Sequence, residues 1–128
     1  MNNYKFRGKT ADGKWAYGFY VQRTDKKEEY ICVFEPNYPS FIKVRPETIG
    51  QWTGKTGMQN IELYSGDIIE YNGQDFPDAV GRRAVITYDQ DLARFVAGLG
   101  KNGIGPNLWH ECKKLGNIHD NPELLEDK

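Results

Sequence analysis

Apolar and polar positions alternate along much of this chain. Trp15, Tyr17, Phe19 and Val21 fall on one side of a period of two, with Ala16, Gly18, Tyr20 and Gln22 on the other. That period predicts a half-buried β-strand, since apolar positions on a helix recur every three or four residues. Similar runs, rich in β-branched and aromatic residues, predict strands over residues 4–7, 30–34, 41–44, 64–71, 83–88, 92–99 and 114–119. Turn chemistry separates them. Asp12-Gly13 and Asn72-Gly73 are hairpin pairs, Pro36 to Ser40 and Asp89 to Asp91 are turns, and Gly54 to Gly57 is a polar turn bounded by glycines. Residues 24–29 read as a charged loop and 100–107 as a flexible, glycine-rich one.

The most legible phrase is Tyr64-Ser65-Gly66-Asp67-Ile68-Ile69-Glu70-Tyr71. Gly66 can adopt the positive φ closed to most residues, and the Asp67 carboxylate can accept nearby backbone N–H groups. A turn that launches a strand in this way is typical of small β-barrels. At the other end, Asn121 suits a helix N-cap, Pro122 the first helical position and Glu123 the helix dipole. The expected helix has one or two turns and depends on docking Leu124 and Leu125. The expectation is therefore a mostly-β protein. An antiparallel meander over residues 1–45 packs on a barrel built mainly from 46–119, and 46–128 ends in the short helix; the two parts can count as one domain.

A chain of 128 residues with aromatics at 13% can bury a core without disulfides or metal. The start carries no apolar signal region, and no apolar run approaches the roughly 18 residues needed to cross a bilayer. Cys32 and Cys112, 80 positions apart, read as two thiols in a reducing cytoplasm. Charge is uneven: residues 1–60 hold ten Lys and Arg against six Asp and Glu, and residues 61–128 hold seven against twelve. A barrel mixes both halves on one surface, so this asymmetry decides little.

Candidate chemistry is sparse. His110, Glu111 and Cys112, with His119 and Asp120 downstream, are metal-ligand types, but no C-x₂-C or H-E-x-x-H frame accompanies them. Cys112 with His119 as nucleophile and base requires the fold to bring them together. The glycines of residues 100–105 lack the GK[ST] and helix of a phosphate loop. Asp67/Glu70 and Asp89/Asp91 sit in or beside turns, where acidic residues serve local hydrogen bonding. The expectation is no catalytic set, no metal, no cofactor, no small-molecule substrate and no membrane association. Binding remains. Antiparallel proteins with edge strands and many aromatics associate with themselves or with protein partners. A second reading is nucleic-acid binding through Lys5, Arg7, Lys9 and Lys14 around Phe6 and Trp15, with Arg82 and Arg83. The alternative there is that both aromatics are core and the cations a solvated face.

Four phrases, taken in order, resemble the YopX family of small bacteriophage and prophage proteins. They are Lys5-Phe6-Arg7-Gly8-Lys9 with Gly13-Lys14-Trp15-Ala16-Tyr17-Gly18; Val44-Arg45-Pro46-Glu47-Thr48-Ile49-Gly50-Gln51-Trp52-Thr53-Gly54; residues 61–69 around Gly66-Asp67-Ile68; and Leu115-Gly116-Asn117-Ile118-His119-Asp120-Asn121-Pro122-Glu123-Leu124-Leu125. Ser65 stands where the family usually has Glu, and the glycine loop is longer than usual. Gly50, Gly54, Gly66, Asp67, Gly116, Asn117, Asn121 and Pro122 are the fold-motif positions. The resemblance implies an SH3-like barrel in a phage- or prophage-encoded protein of the bacterial cytoplasm. It brings no assigned activity and no catalytic residues. The function expected is that of a non-enzymatic accessory protein working by self-association or by binding a host or phage protein.

Overall fold

The computed structural model describes residues 5–25, 27–34, 38–98 and 103–125. The predicted turn at Pro36-Asn37 and positions 100–102 of the glycine loop lie outside them, as does Tyr4 of the first predicted strand. The protein is mostly β, with two antiparallel sheets, and it divides into two compact units, residues 1–52 and 53–128. No helix among the described residues is long and apolar enough to cross a membrane.

In the first unit a meander runs through β1 (Phe6–Lys9), β2 (Trp15–Arg23), β3 (Glu28–Phe34) and β4 (Pro39–Val44). β5 (Gly50–Thr56), which continues past the unit boundary, lies on the other side of β1 and is followed by β6 (Glu62–Tyr64), so the order is β4-β3-β2-β1-β5-β6. The β1–β2 turn is the one the sequence predicts. Gly13 has φ 90° and donates its N–H to the Thr10 carbonyl at 3.0 Å. Gly50 pairs with Arg7 and the Trp52 N–H donates to the Lys5 carbonyl at 2.9 Å. Residues 50–52, expected in the barrel, thus pair with β1.

The inner face of the sheet buries Ala16, Ile31 and Val44, with Phe6, Val33, Ile42 and Ile49 packed against them. Glycines let the layers close. A Cβ on Gly18 would stand 2.2 Å from the Cys32 carbonyl oxygen, and one on Gly8 would stand 2.7 Å from Val44 Cγ2. Beside this core the Tyr20 hydroxyl donates to Glu29 Oε1, and Gln22 Nε2 donates to Glu29 Oε2 at 3.0 Å.

In the second unit the Thr53 hydroxyl donates to the Leu63 carbonyl at 2.9 Å, fixing β6 (Glu62–Tyr64). β7 (Asp67–Tyr71), β8 (Arg83–Asp89), β9 (Arg94–Ala97) and β10 (Cys112–Asn117) form a sheet ordered β10-β7-β8-β9. Its core holds Leu63, Ile69, Tyr71, Ile86, Trp109 and Cys112, and each large apolar side chain there contributes about 1.5–3 kcal/mol. Gly66 has φ 96°, as its turn requires. The Tyr64 N–H donates to Asp67 Oδ2 at 2.7 Å.

Several expectations are corrected. The closed barrel over 46–119 is not found among the described residues: β9 and β10 end the second sheet, and the start of β5 is paired with β1. Asn72-Gly73 does not close a tight hairpin; the connection runs to Arg83 through a short 3-10 turn, Pro77–Ala79. Gly54, with φ 84°, lies inside β5 rather than in a turn. Among the described residues the expected C-terminal helix is a 3-10 turn, Pro122–Leu125. The Asn121 amide oxygen, expected to cap a helix, instead accepts the Asn117 N–H at 3.3 Å. Leu125 is exposed; Leu124 is held through its carbonyl, which accepts Arg83 Nη1 at 3.0 Å. Gly116 accommodates this tail, because a Cβ there would meet Asn121 Oδ1 at 2.4 Å.

Candidate functional site

Residues paired across neighbouring antiparallel strands point to the same face. On β2 the odd-numbered residues share a face with Arg7 and Lys9 of β1, with Glu28, Tyr30 and Cys32 of β3, and with Phe41 and Lys43 of β4. This is the face opposite the core. It carries the aromatic half of the alternation seen in the sequence. Tyr17 is 49% exposed, Phe19 40% and Phe41 57%, with Phe19, Cys32 and Phe41 in register across three strands.

Cations interleave with the rings. The Lys5 ammonium lies 5.0 Å above the Trp52 ring. The Arg7 guanidinium lies 4.8 Å from the Trp15 ring centre, and Lys9 Nζ lies 5.9 Å from it. Such contacts contribute about 0.5–2 kcal/mol each, more when desolvated. Arg7 is 1% exposed, so it orders Trp15 and is out of reach of a phosphate chain. At the other end of the face, Arg23 pairs with Asp25 at 2.9 Å and Lys43 with Glu28 at 3.0 Å. The Tyr30 hydroxyl donates to Glu28 Oε1 at 2.6 Å, which pushes its pKa above the ordinary tyrosine value.

A family model described as YopX protein matches residues 5–126. The chain belongs to the YopX family. Among solved structures it is similar to "Crystal structure of protein EF1440 from Enterococcus faecalis", with a TM-score of 0.60 and 21% identity, covering 95% of this chain and 97% of that one. At that identity the likeness shows the fold alone. No curated protein matches.

Most of the other residues singled out in this YopX-family chain lie in the second unit. Arg83 Nε donates to Glu70 Oε2 at 2.9 Å while its Nη1 holds the Leu124 carbonyl. Arg82 lines a cleft of about 390 Å³ with Asp75, Phe76, Asp78 and Leu108. Asp67 is fully buried, its Oδ2 3.3 Å from Lys114 Nζ. Asn117 Oδ1 accepts the N–H groups of His119 and Asp120, both at 2.9 Å. Cys112 is fully buried, and burial, with a smaller push from Glu111, raises its thiol pKa to about 12. A nucleophile needs the thiolate, and this thiol is protonated at neutral pH. His110 is exposed, with Nε2 3.6 Å from Glu111 Oε2. No cluster of three metal-ligating side chains occurs among the described residues.

Sequence reasoning named Lys5, Arg7 and Lys9 but missed Tyr17, Phe19 and Phe41 as the accessible aromatics. The signal was available in β2. Ala16 and Gly18 fill the opposite face, and two small residues in succession mark the side where backbones pack closely.

Proposed function

We propose that this YopX-family protein is a phage- or prophage-encoded, non-enzymatic accessory protein of the bacterial cytoplasm. It works by binding protein, either a second copy or a host or phage partner, through the outer face of the first sheet. The observation that carries this reading is the exposure of Tyr17, Phe19 and Phe41 on one face. Aromatic residues at this exposure, set together on a regular sheet, are the composition of an interface core. Light scattering of the wild type and of a Tyr17→Ser, Phe19→Ser, Phe41→Ser variant tests self-association. A photo-crosslinking residue at position 17, introduced in cells, tests for a different partner. A monomeric wild type that forms no protein adduct there rules the reading out.

A second reading has its own observation. Lys5 and Lys9, over Trp52 and Trp15, stand on the same face as Tyr17 and Phe19, which is the arrangement of a single-strand stacking platform. Binding of a fluorescent oligothymidine at two salt concentrations decides it, because phosphate contacts weaken steeply with salt. No binding at low salt excludes it.

A further inference from the structure

We propose that a cleft beside β9 binds a small monocarboxylate with a branched apolar body. The carboxylate sits on the Arg94 guanidinium, and the apolar end enters between Leu92, Val96 and Ile104. The site belongs to the second unit and does not rest on the protein-binding reading above.

The cleft exists because a strand pairing stops short. β9 is the last strand of its sheet, and the chain returns to pair with it at Ala97, which stands opposite Ile104. The Ile104 N–H donates to the Ala97 carbonyl at 2.8 Å. Antiparallel pairing continued by two residues would bring Phe95 opposite Pro106, which has no N–H to give. The chain instead turns at Pro106 into a 3-10 segment, Pro106–Glu111. The space left, about 210 Å³, has Leu92, Arg94, Val96, Ala97, Ile104 and Pro106 in its walls. Val96, Ala97 and Ile104 are buried and Leu92 is exposed, so the floor is apolar and Leu92 stands at the mouth. The volume is below that of drug-sized pockets and suits one group the size of a side chain.

Charge selects the ligand. Arg94 is exposed, and among the described residues no ion pair engages it. The acid opposite it in register is Asp89, whose Oδ1 already accepts the N–H groups of Asp91 and Leu92 at 2.9 and 3.1 Å. The guanidinium is therefore open to an anion, and it takes a carboxylate through two parallel N–H donors. Arg94 and Val96 are alternate residues of β9 and share a side of the strand. A carboxylate on Arg94 thus carries its apolar end toward the buried floor.

Backbone conformation points to the same place. Ala93 has φ 54°, in the left-handed region where a Cβ is strained. It stands between Leu92 and Arg94, the two exposed side chains of the cleft. Strain of this kind gathers at ligand sites.

The test titrates 4-methylpentanoate into the isotope-labelled full chain and follows amide shifts by NMR. Saturable shifts are expected at Leu92, Arg94, Val96 and Ile104, with a Kd of about 1–10 mM for so small a ligand. 4-Methylpentanamide lacks the charge and acetate lacks the apolar body; each should bind about tenfold more weakly or worse. Arg94→Gln should weaken binding of the acid by a similar factor. No saturable shift at tens of millimolar acid, shifts centred elsewhere, or undiminished binding by Arg94→Gln would overturn the inference. Acetate or the amide binding as well as the acid would overturn it too, since a surface ion pair or a greasy contact would then account for the shifts. None of these outcomes touches the first sheet, so the protein-binding reading stands or falls on its own tests.

Discussion

Asp67, fully buried at the start of β7, holds its carboxylate 3.3 Å from the ammonium of Lys114 on β10. The same Oδ2 accepts the Tyr64 N–H at 2.7 Å, so one oxygen ties the Gly66 turn to the neighbouring strand. The Lys114 side chain is 23% exposed and keeps some access to water, whereas the carboxylate has none. Removing the cation should therefore hurt more than removing the anion's charge. Lys114→Met is expected to cost about 2–4 kcal/mol and Asp67→Asn about 1–2 kcal/mol. The double variant should cost less than the sum. Urea unfolding of the three variants checks this; strict additivity would show that the two groups are not coupled.

Two glycines separate lack of space from backbone conformation. Gly18 has the Cys32 carbonyl oxygen 2.2 Å from where a Cβ would sit, whereas Gly81 has φ +92° and open space around that point. Gly18→Ala must push β2 and β3 apart and is expected to cost about 3 kcal/mol or more. Gly81→Ala meets only the strain of its backbone conformation, about 1–2 kcal/mol. Thermal unfolding of the pair gives the order, and a milder Gly18→Ala would contradict the packing of these strands.

The difference between local and distant constraints explains what the sequence made legible. The Asp67 turn was legible because its partner, the Tyr64 N–H, is three residues away. The Lys114 contact was not, since strand order decides it. The period of β2 was plain, but a lone strand does not say which face its neighbours will bury. Ala16 and Gly18 face the core because Ile31 and the Cys32 carbonyl arrive from β3. The tail had the residues of a helix start, yet the Asn121 side chain is used on Asn117 and Leu124 is held by Arg83. In the candidate site, Lys5, Arg7 and Lys9 were legible as cations near Trp15. The burial of Arg7 and the exposure of Phe41 depend on pairing and were not.

Alkaline pH should destabilise the fold. The Cys112 thiol is raised from 9.0 to about 12, by burial first. The Tyr20 hydroxyl is raised from 10.0 to about 12, first by its hydrogen bond to Glu29. Both groups keep their protons longer in the folded state than in the unfolded one. Stability from this source is whole below pH 9 and is lost as pH rises through the interval up to about 12. Urea midpoints taken from pH 8 upward should fall, and Tyr20→Phe should flatten the slope above pH 10. At pH 8, iodoacetamide should modify Cys112 only on the timescale of unfolding; rapid labelling of the native protein would show that the thiol is accessible.

Trp109 pins Ile104. Its ring is 1% exposed and its Nε1–H donates to the Ile104 carbonyl at 2.9 Å. The Ile104 N–H in turn donates to the Ala97 carbonyl at 2.8 Å, so the indole and the edge of β9 hold one residue from both sides. Trp109→Phe keeps most of the apolar burial but leaves the Ile104 carbonyl without this donor. The expected global loss is about 1–3 kcal/mol. The expected local sign is faster hydrogen exchange at the Ile104 amide than at Ile69 in the centre of the sheet, because local opening needs only the lost contact. Trp109→Leu should add a cavity cost to the same local effect. Equal acceleration at both amides would mean that Trp109 acts only through the common core, and that the indole hydrogen bond does not anchor Ile104.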